Sequence, residues 1–148
     1  PSGKYMYMNT EMGSTVHAYR YDETTGKAEL SQTLATIPEG VSHDETSTAA
    51  IKIHPNGKLL YVSNRGHDSL AVYSIDEETG LLTLLNIQRT EGRIPRDFDI
   101  SPDGNYVLVA HQSSDDAVLF KIDFTNGALS EIQRIKVPTP ICVRFYEI

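Results

Sequence analysis

Three segments of this 148-residue chain align with one another without a gap, and that self-similarity narrows the available folds more than any other feature. Pro1-Ser2-Gly3-Lys4, Pro55-Asn56-Gly57-Lys58 and Pro102-Asp103-Gly104-Asn105 open the segments. Tyr19, Tyr73 and Phe120 follow each proline by 18 residues, and Gly26, Gly80 and Gly127 follow by 25. Successive prolines stand 54 and 47 residues apart. Repeats of that length, built from short strands, correspond to four-stranded blades of a β-propeller. The expected fold class is therefore all-β, with about three antiparallel blades of a ring that needs roughly four to eight to close.

The second repeat is the template. Residues 48–54, 58–64, 69–76 and 81–89 read as strands A to D, rich in Val, Ile, Leu and Tyr and broken by Gly, Asn and Asp. Apolar residues fall on both faces of strands B and C, which suits sheets covered on both sides, and helical periodicity is absent. In the third repeat the corresponding strands are 96–101, 106–111, 116–123 and 128–137. Residues 1–36 supply B, C and D without an A, and 140–147 read as a closing strand A with nothing behind it. That makes twelve expected strands, with the chain cut inside a blade. The chain is expected to be the C-terminal part of a longer protein, its earlier blades missing, and to be poorly stable or self-associating alone because of open sheet edges.

Charge and composition exclude several classes of function. A net charge of −7 with no cluster of Lys and Arg disfavours nucleic acid. No apolar run is long enough to span a bilayer, and no signal-peptide pattern is visible. The single cysteine, Cys142, rules out internal disulfides, suits a reducing cytoplasm, and lies in an apolar stretch as buried filler. CxxC and HExxH are absent, and no metal or cofactor is expected.

Positions that break the repeat are where function is sought. The Pro-x-Gly and Thr-Gly turns are uniform, so their face of the disc, with His54, reads as structural. On the opposite face, the residue after strand B is Glu11, Arg65 and Gln112 in turn, and strand A begins with Ala49-Ala50, Arg96-Asp97 or Ile141-Cys142. Equivalent positions of neighbouring blades surround one channel, so Glu11 should meet Arg65 and Arg96. A carboxylate there can act as general acid or base, and guanidinium groups bind anions in bidentate fashion. The same residues also fit a solvated rim of weak ion pairs. His67 and Asp68 share the Arg65 loop, His111 precedes Gln112, and Asp97 can orient Arg96 or cap a strand. The connection 36–47, longer than its counterpart before Arg96, carries His43, Asp44 and Glu45; it reads as a lid or a solvent-exposed insertion.

His54-Pro55-Asn56-Gly57-Lys58 and the run Tyr61-Val62-Ser63-Asn64-Arg65-Gly66-His67-Asp68-Ser69 resemble the seven-bladed lactonase family, which includes propeller-type 6-phosphogluconolactonases and a carboxymuconate lactonizing enzyme. Asn9-Thr10-Glu11, Pro95-Arg96, Ser101-Pro102-Asp103-Gly104 and the closing Pro140-Ile141-Cys142-Val143-Arg144-Phe145 extend the resemblance over the whole chain. It implies a cytoplasmic enzyme acting on a sugar lactone, most simply hydrolysis of 6-phosphogluconolactone, with Glu11 and Arg65 in catalytic roles. Arg96, His67, Asp97 and Gln112 are the expected substrate-binding residues, and the isolated chain is expected to be inactive. Two other readings stay open: carboxymuconate lactonization, and a non-enzymatic propeller that binds protein or glycan.

Overall fold

The computed structural model of the chain describes residues 3–146. Pro1 and Ser2 of the first turn, and Glu147 of the expected closing strand, lie outside these residues. Among the described residues, eleven strands form three antiparallel sheets. The first sheet is β1 (Tyr5–Thr10), β2 (Thr15–Asp22) and β3 (Lys27–Ala35). The second is β4 (Ser47–Ile53), β5 (Leu59–Arg65), β6 (Ser69–Ile75) and β7 (Leu82–Arg89). The third is β8 (Pro95–Ile100), β9 (Tyr106–His111), β10 (Asp116–Ile122) and β11 (Leu129–Lys136). Each is an up-and-down meander whose strand order follows the chain. The sheets meet mainly through β1, β4, β5 and β8, so they fan outward from a shared inner edge as blades of a propeller do.

One expected strand does not form. Residues 140–146 carry no ladder pairing among the described residues. Their amides find side chains instead: Val143 N–H donates to Asp97 Oδ2 (3.1 Å) and Phe145 N–H to Asp99 Oδ2 (2.9 Å). The other predicted strand limits hold to within a residue or so. Cys142, expected as buried filler, is exposed in this unpaired segment.

Packing explains the lack of clean alternation in the second sheet. On β5, Leu59 and Tyr61 face the third blade, joining Phe98, Val107, Val109, Val118 and Phe120. Leu60 and Val62 face the first, joining Val16, Ala18, Ala71 and Tyr73. A strand sandwiched in this way is apolar on both faces, as Leu59 to Val62 are here. Polar side chains then fix the stacking. Gln32 receives Leu82 N–H (2.8 Å) and donates to Leu82 O (2.9 Å), and Gln88 makes the same pair of bonds with Leu129 one blade later. Tyr7 and Tyr61 reach the C–D turn glycine of the next blade, donating to Gly80 O and Gly127 O. His54, expected as structural, is buried with Nε2 2.8 Å from Gly104 O.

Bulges recur as faithfully as the turns do. Each D strand carries one, opposite Ala18/Tyr19, Val72/Tyr73 and Leu119/Phe120. A bulge on an outer strand distorts the edge against further pairing. The inner strands are bulged as well, between Thr48 and Ile51 on β4 and between Pro95 and Asp97 on β8. These inner irregularities shape the channel.

Candidate active site

Glu11 and Arg65 occupy equivalent places in successive repeats, each at the end of its strand B, so the seam between the first two blades brings them face to face. Arg65 Nη2 lies 2.5 Å from Glu11 Oε1. Thr48, at the bulge of β4, organises both partners. Its N–H donates to Glu11 O (2.9 Å) and its carbonyl accepts from Arg65 Nη2 (3.1 Å). The Thr48 hydroxyl donates to Thr10 O (3.0 Å), and Asn9 Nδ2 donates to Thr48 Oγ1 (2.6 Å) and Ala49 O (3.2 Å). Such a network specifies geometry more than it adds stability, because each net hydrogen bond contributes only about 1 kcal/mol.

The pair is asymmetric. The Glu11 side chain is 64% exposed while that of Arg65 is 17% exposed. Hydrogen bonding from Arg65, then its charge, holds the Glu11 carboxyl below the ordinary glutamate range, with a smaller pull from Arg96. Glu11 is thus a carboxylate kept ionised and open to solvent. The described residues engage only Nη2 of Arg65, and its buried Nε has no acceptor among them.

Arg96 stands at the bulge of β8 and lines a depression of about 340 Å³ with Ala49, Ala50, Lys52, Asp97 and Arg144. The free inner edges of β4 and β8 and the segment after Pro140 are its walls. Asp97 does not orient Arg96. Its Oδ2 accepts from Val143 N–H and from Arg144 Nη1, each at 3.1 Å. Gln112 sits at the rim of the third blade with its N–H bonded to Ile94 O (3.0 Å).

His67 is not brought to Glu11. Its Nδ1 lies 2.8 Å from Ser69 Oγ, and Arg89 donates to its carbonyl, so its partners are on β6 and β7 rather than the channel side. Burial, then the Arg89 charge, lowers its pKa. Asp68 serves the backbone: its Oδ1 accepts from Gly66 N–H and Ile94 N–H. The 36–47 connection is anchored, not free. His43 Nδ1 bonds Gly13 O (3.0 Å), and Ser14 Oγ meets Thr46 Oγ1 (2.9 Å). Among the described residues no three His, Cys, Asp or Glu side chains gather as a metal site, and no helix is long and apolar enough to cross a membrane.

His111 is fully buried behind the rim. Its Nδ1 is 3.2 Å from Asp116 Oδ1 but misaligned for a hydrogen bond, and Arg134 binds the other Asp116 oxygen at 2.6 Å. Thr10 with Thr15 and Asn64 with Ser69 occupy the same two places in the other blades, so the pair is a hairpin staple made from titratable groups. Burial lowers the His111 pKa below 6.5, against the opposing pull of Asp116. As pH falls below that value the unfolded chain takes up a proton that the folded chain resists, so stability falls. His111→Asn, copying Asn64, is expected to flatten the fall in melting temperature between about pH 6.5 and 5. Thermal melts of both proteins across that range check it.

The family described as "Lactonase, 7-bladed beta-propeller" matches residues 1–145. The chain belongs to that family. A 6-phosphogluconolactonase of Bacillus subtilis (strain 168) is 34% identical over 146 residues, covering 98% of this chain and 42% of the relative. The crystal structure of a protein from Lactobacillus plantarum superposes with a TM-score of 0.93 at 40% identity, covering 99% of this chain and 43% of that one. The Pseudomonas aeruginosa periplasmic gluconolactonase PpgL gives 0.92 at 29% identity, over 98% and 40%. The chain thus spans about two fifths of the length of these relatives, in keeping with about three blades of seven.

Comparison of the repeats does not single out Asn9, Thr48 or Lys52 as site residues. A lysine inside the Ala-Ala-Ile-Lys-Ile run of β4 was the available signal for Lys52. Nothing in the residue types at 48–50 announces the bulge that makes Thr48 a hub.

Proposed function

We propose that this chain contributes the reacting half of a lactonase site in a closed seven-bladed ring, and that the whole protein hydrolyses 6-phosphogluconolactone to 6-phosphogluconate in the cytoplasm. The observation carrying the proposal is the ionised, solvent-facing Glu11 held across a blade seam by Arg65, with Arg96 on the facing wall. The names of the Bacillus and Pseudomonas relatives support the lactone as substrate class.

In this scheme Glu11 takes a proton from water as the water oxygen attacks the lactone carbonyl. Arg65 stabilises the oxyanion that develops there. The tetrahedral intermediate collapses with cleavage of the bond from carbonyl carbon to ring oxygen, and Glu11 returns its proton to the departing oxygen, leaving a hydroxyl and a carboxylic acid that loses its remaining proton to solvent. A carboxylate tied to a guanidinium is a weak base. Substrate oxygens that draw on the Arg65 donors relax that restraint and raise Glu11 basicity when it is needed. Spectrophotometric assay of the full-length protein with 6-phosphogluconolactone and with gluconolactone tests the proposal. Both should be opened faster than the spontaneous rate, the phosphorylated one with the higher kcat/KM; acceleration of neither refutes it.

A further inference from the structure

The charges around the depression do not balance. Arg144 is matched by Asp97 at 3.1 Å, and Arg65 by Glu11. Lys52 and Arg96 are left, and neither has a hydrogen-bond acceptor or ion-pair partner among the described residues. Both line the same space, between the facing inner strands β4 and β8. Two cations without an ion-pair partner on facing walls, in a chain of net charge −7, make a local positive field that favours an anion between them. Lys52 is the odd member of its strand, half-buried between Ile51 and Ile53. Ala49 and Ala50, with short side chains, line the same depression.

We infer that Lys52 and Arg96 form a subsite for a tetrahedral dianion, the phosphoryl group of the substrate, and that Lys52 makes the site favour phosphorylated lactones. This rests on the lactonase reading for the identity of the ligand, but not for the presence of an anion site. An arginine offers paired donors and a lysine a mobile point charge, a combination suited to three equivalent phosphoryl oxygens. Along β4, Lys52 lies four residues from Thr48, which holds the Glu11–Arg65 pair. That is about 13 Å of strand, shortened by the bulge and by the long lysine and arginine stems. A six-carbon sugar lactone with a terminal phosphate ester spans the remainder, its carbonyl at Glu11 and its phosphate at Lys52.

Calorimetric titration of the full-length protein with inorganic phosphate, gluconate and 6-phosphogluconate tests the inference, alongside kinetics on both lactones. Lys52→Met is expected to weaken 6-phosphogluconate binding about tenfold or more, in line with loss of a charge-assisted contact, and to leave gluconate unchanged. Its kcat/KM should fall by a similar factor on the phosphorylated lactone, through KM, and not on gluconolactone. Lys52→Arg should restore most of both, which a packing role for the side chain would not predict. Wild-type protein that binds gluconate as tightly as 6-phosphogluconate, or a Lys52→Met protein that binds both like wild type, overturns the subsite even if lactones are hydrolysed. Phosphate-dependent binding lost in Lys52→Met, without hydrolysis of either lactone, supports the subsite and refutes the hydrolase.

Discussion

Glu11→Gln in the full-length protein is expected to lower kcat for lactone hydrolysis by about 10²-fold or more, with little change in KM. The amide keeps the shape of the carboxylate and can still accept a hydrogen bond from Arg65, so the fold and the seam between the first two blades should survive. What it cannot do is take a proton from water. Because the Glu11 side chain is mostly exposed, the melting temperature should hardly move, which separates chemical from structural loss. The companion variant is Arg65→Met. Hydrogen bonding from Arg65 is the main reason the Glu11 carboxyl lies below its ordinary range. A general base works when deprotonated, so its activity fails as pH falls through its pKa. Without Arg65 that pKa rises, and the acid limb of the pH–rate profile should move to higher pH as the rate drops. Rates across a pH series for the three proteins check both statements.

The largest loss of stability is expected at Gly66, the residue after Arg65. It has φ +84°, and a Cβ there would stand 2.0 Å from Glu45 O and 3.1 Å from Glu45 C. Both obstacles are backbone, so no side chain can rotate out of the way. Gly66→Ala must displace the 36–47 connection from the Arg65 loop or distort the loop itself, at a cost of about 2–5 kcal/mol. Gly40 supplies the control, with the same φ of +84° and nothing within 4 Å of its would-be Cβ. Gly40→Ala should cost only the left-handed backbone penalty, about 1–2 kcal/mol. Urea denaturation of both variants measures the difference, which isolates the contact between the connection and the loop. Equal costs would mean that this contact yields easily. The connection, read from sequence as a lid or insertion, would on this account be a brace for Arg65.

Much of this architecture is legible because a repeat carries spatial information that a single segment does not. Once Pro55 and Pro102 are aligned with Pro1, strand order, turn placement and the neighbourhood of Glu11 and Arg65 follow from the way blades stack. His67 shows where that logic stops. Its position in the loop follows from the alignment, but the direction of its ring is set by Ser69 and by burial, which no spacing reports. The missing closing strand has a different cause. Residues 140–146 have strand composition, yet no ladder forms there, and the Val143 and Phe145 amides bond the Asp97 and Asp99 carboxylates instead. Asp97 accepts from Val143 and Arg144, 46 and 47 residues further along the chain, partners that the repeat spacing does not name. Lys52 lies in mid-strand rather than in a loop or at a strand end, where departures from the repeat are easiest to see, yet β4 lines the depression from Ala49 to Lys52.

The most direct test of the central claim is a crystal structure of the full-length protein with 6-phosphogluconate bound. The account predicts the product carboxylate against Arg65 beside Glu11, and its phosphate between Lys52 and Arg96. Product bound on the opposite face, among the Pro-x-Gly turns near His54, would contradict it.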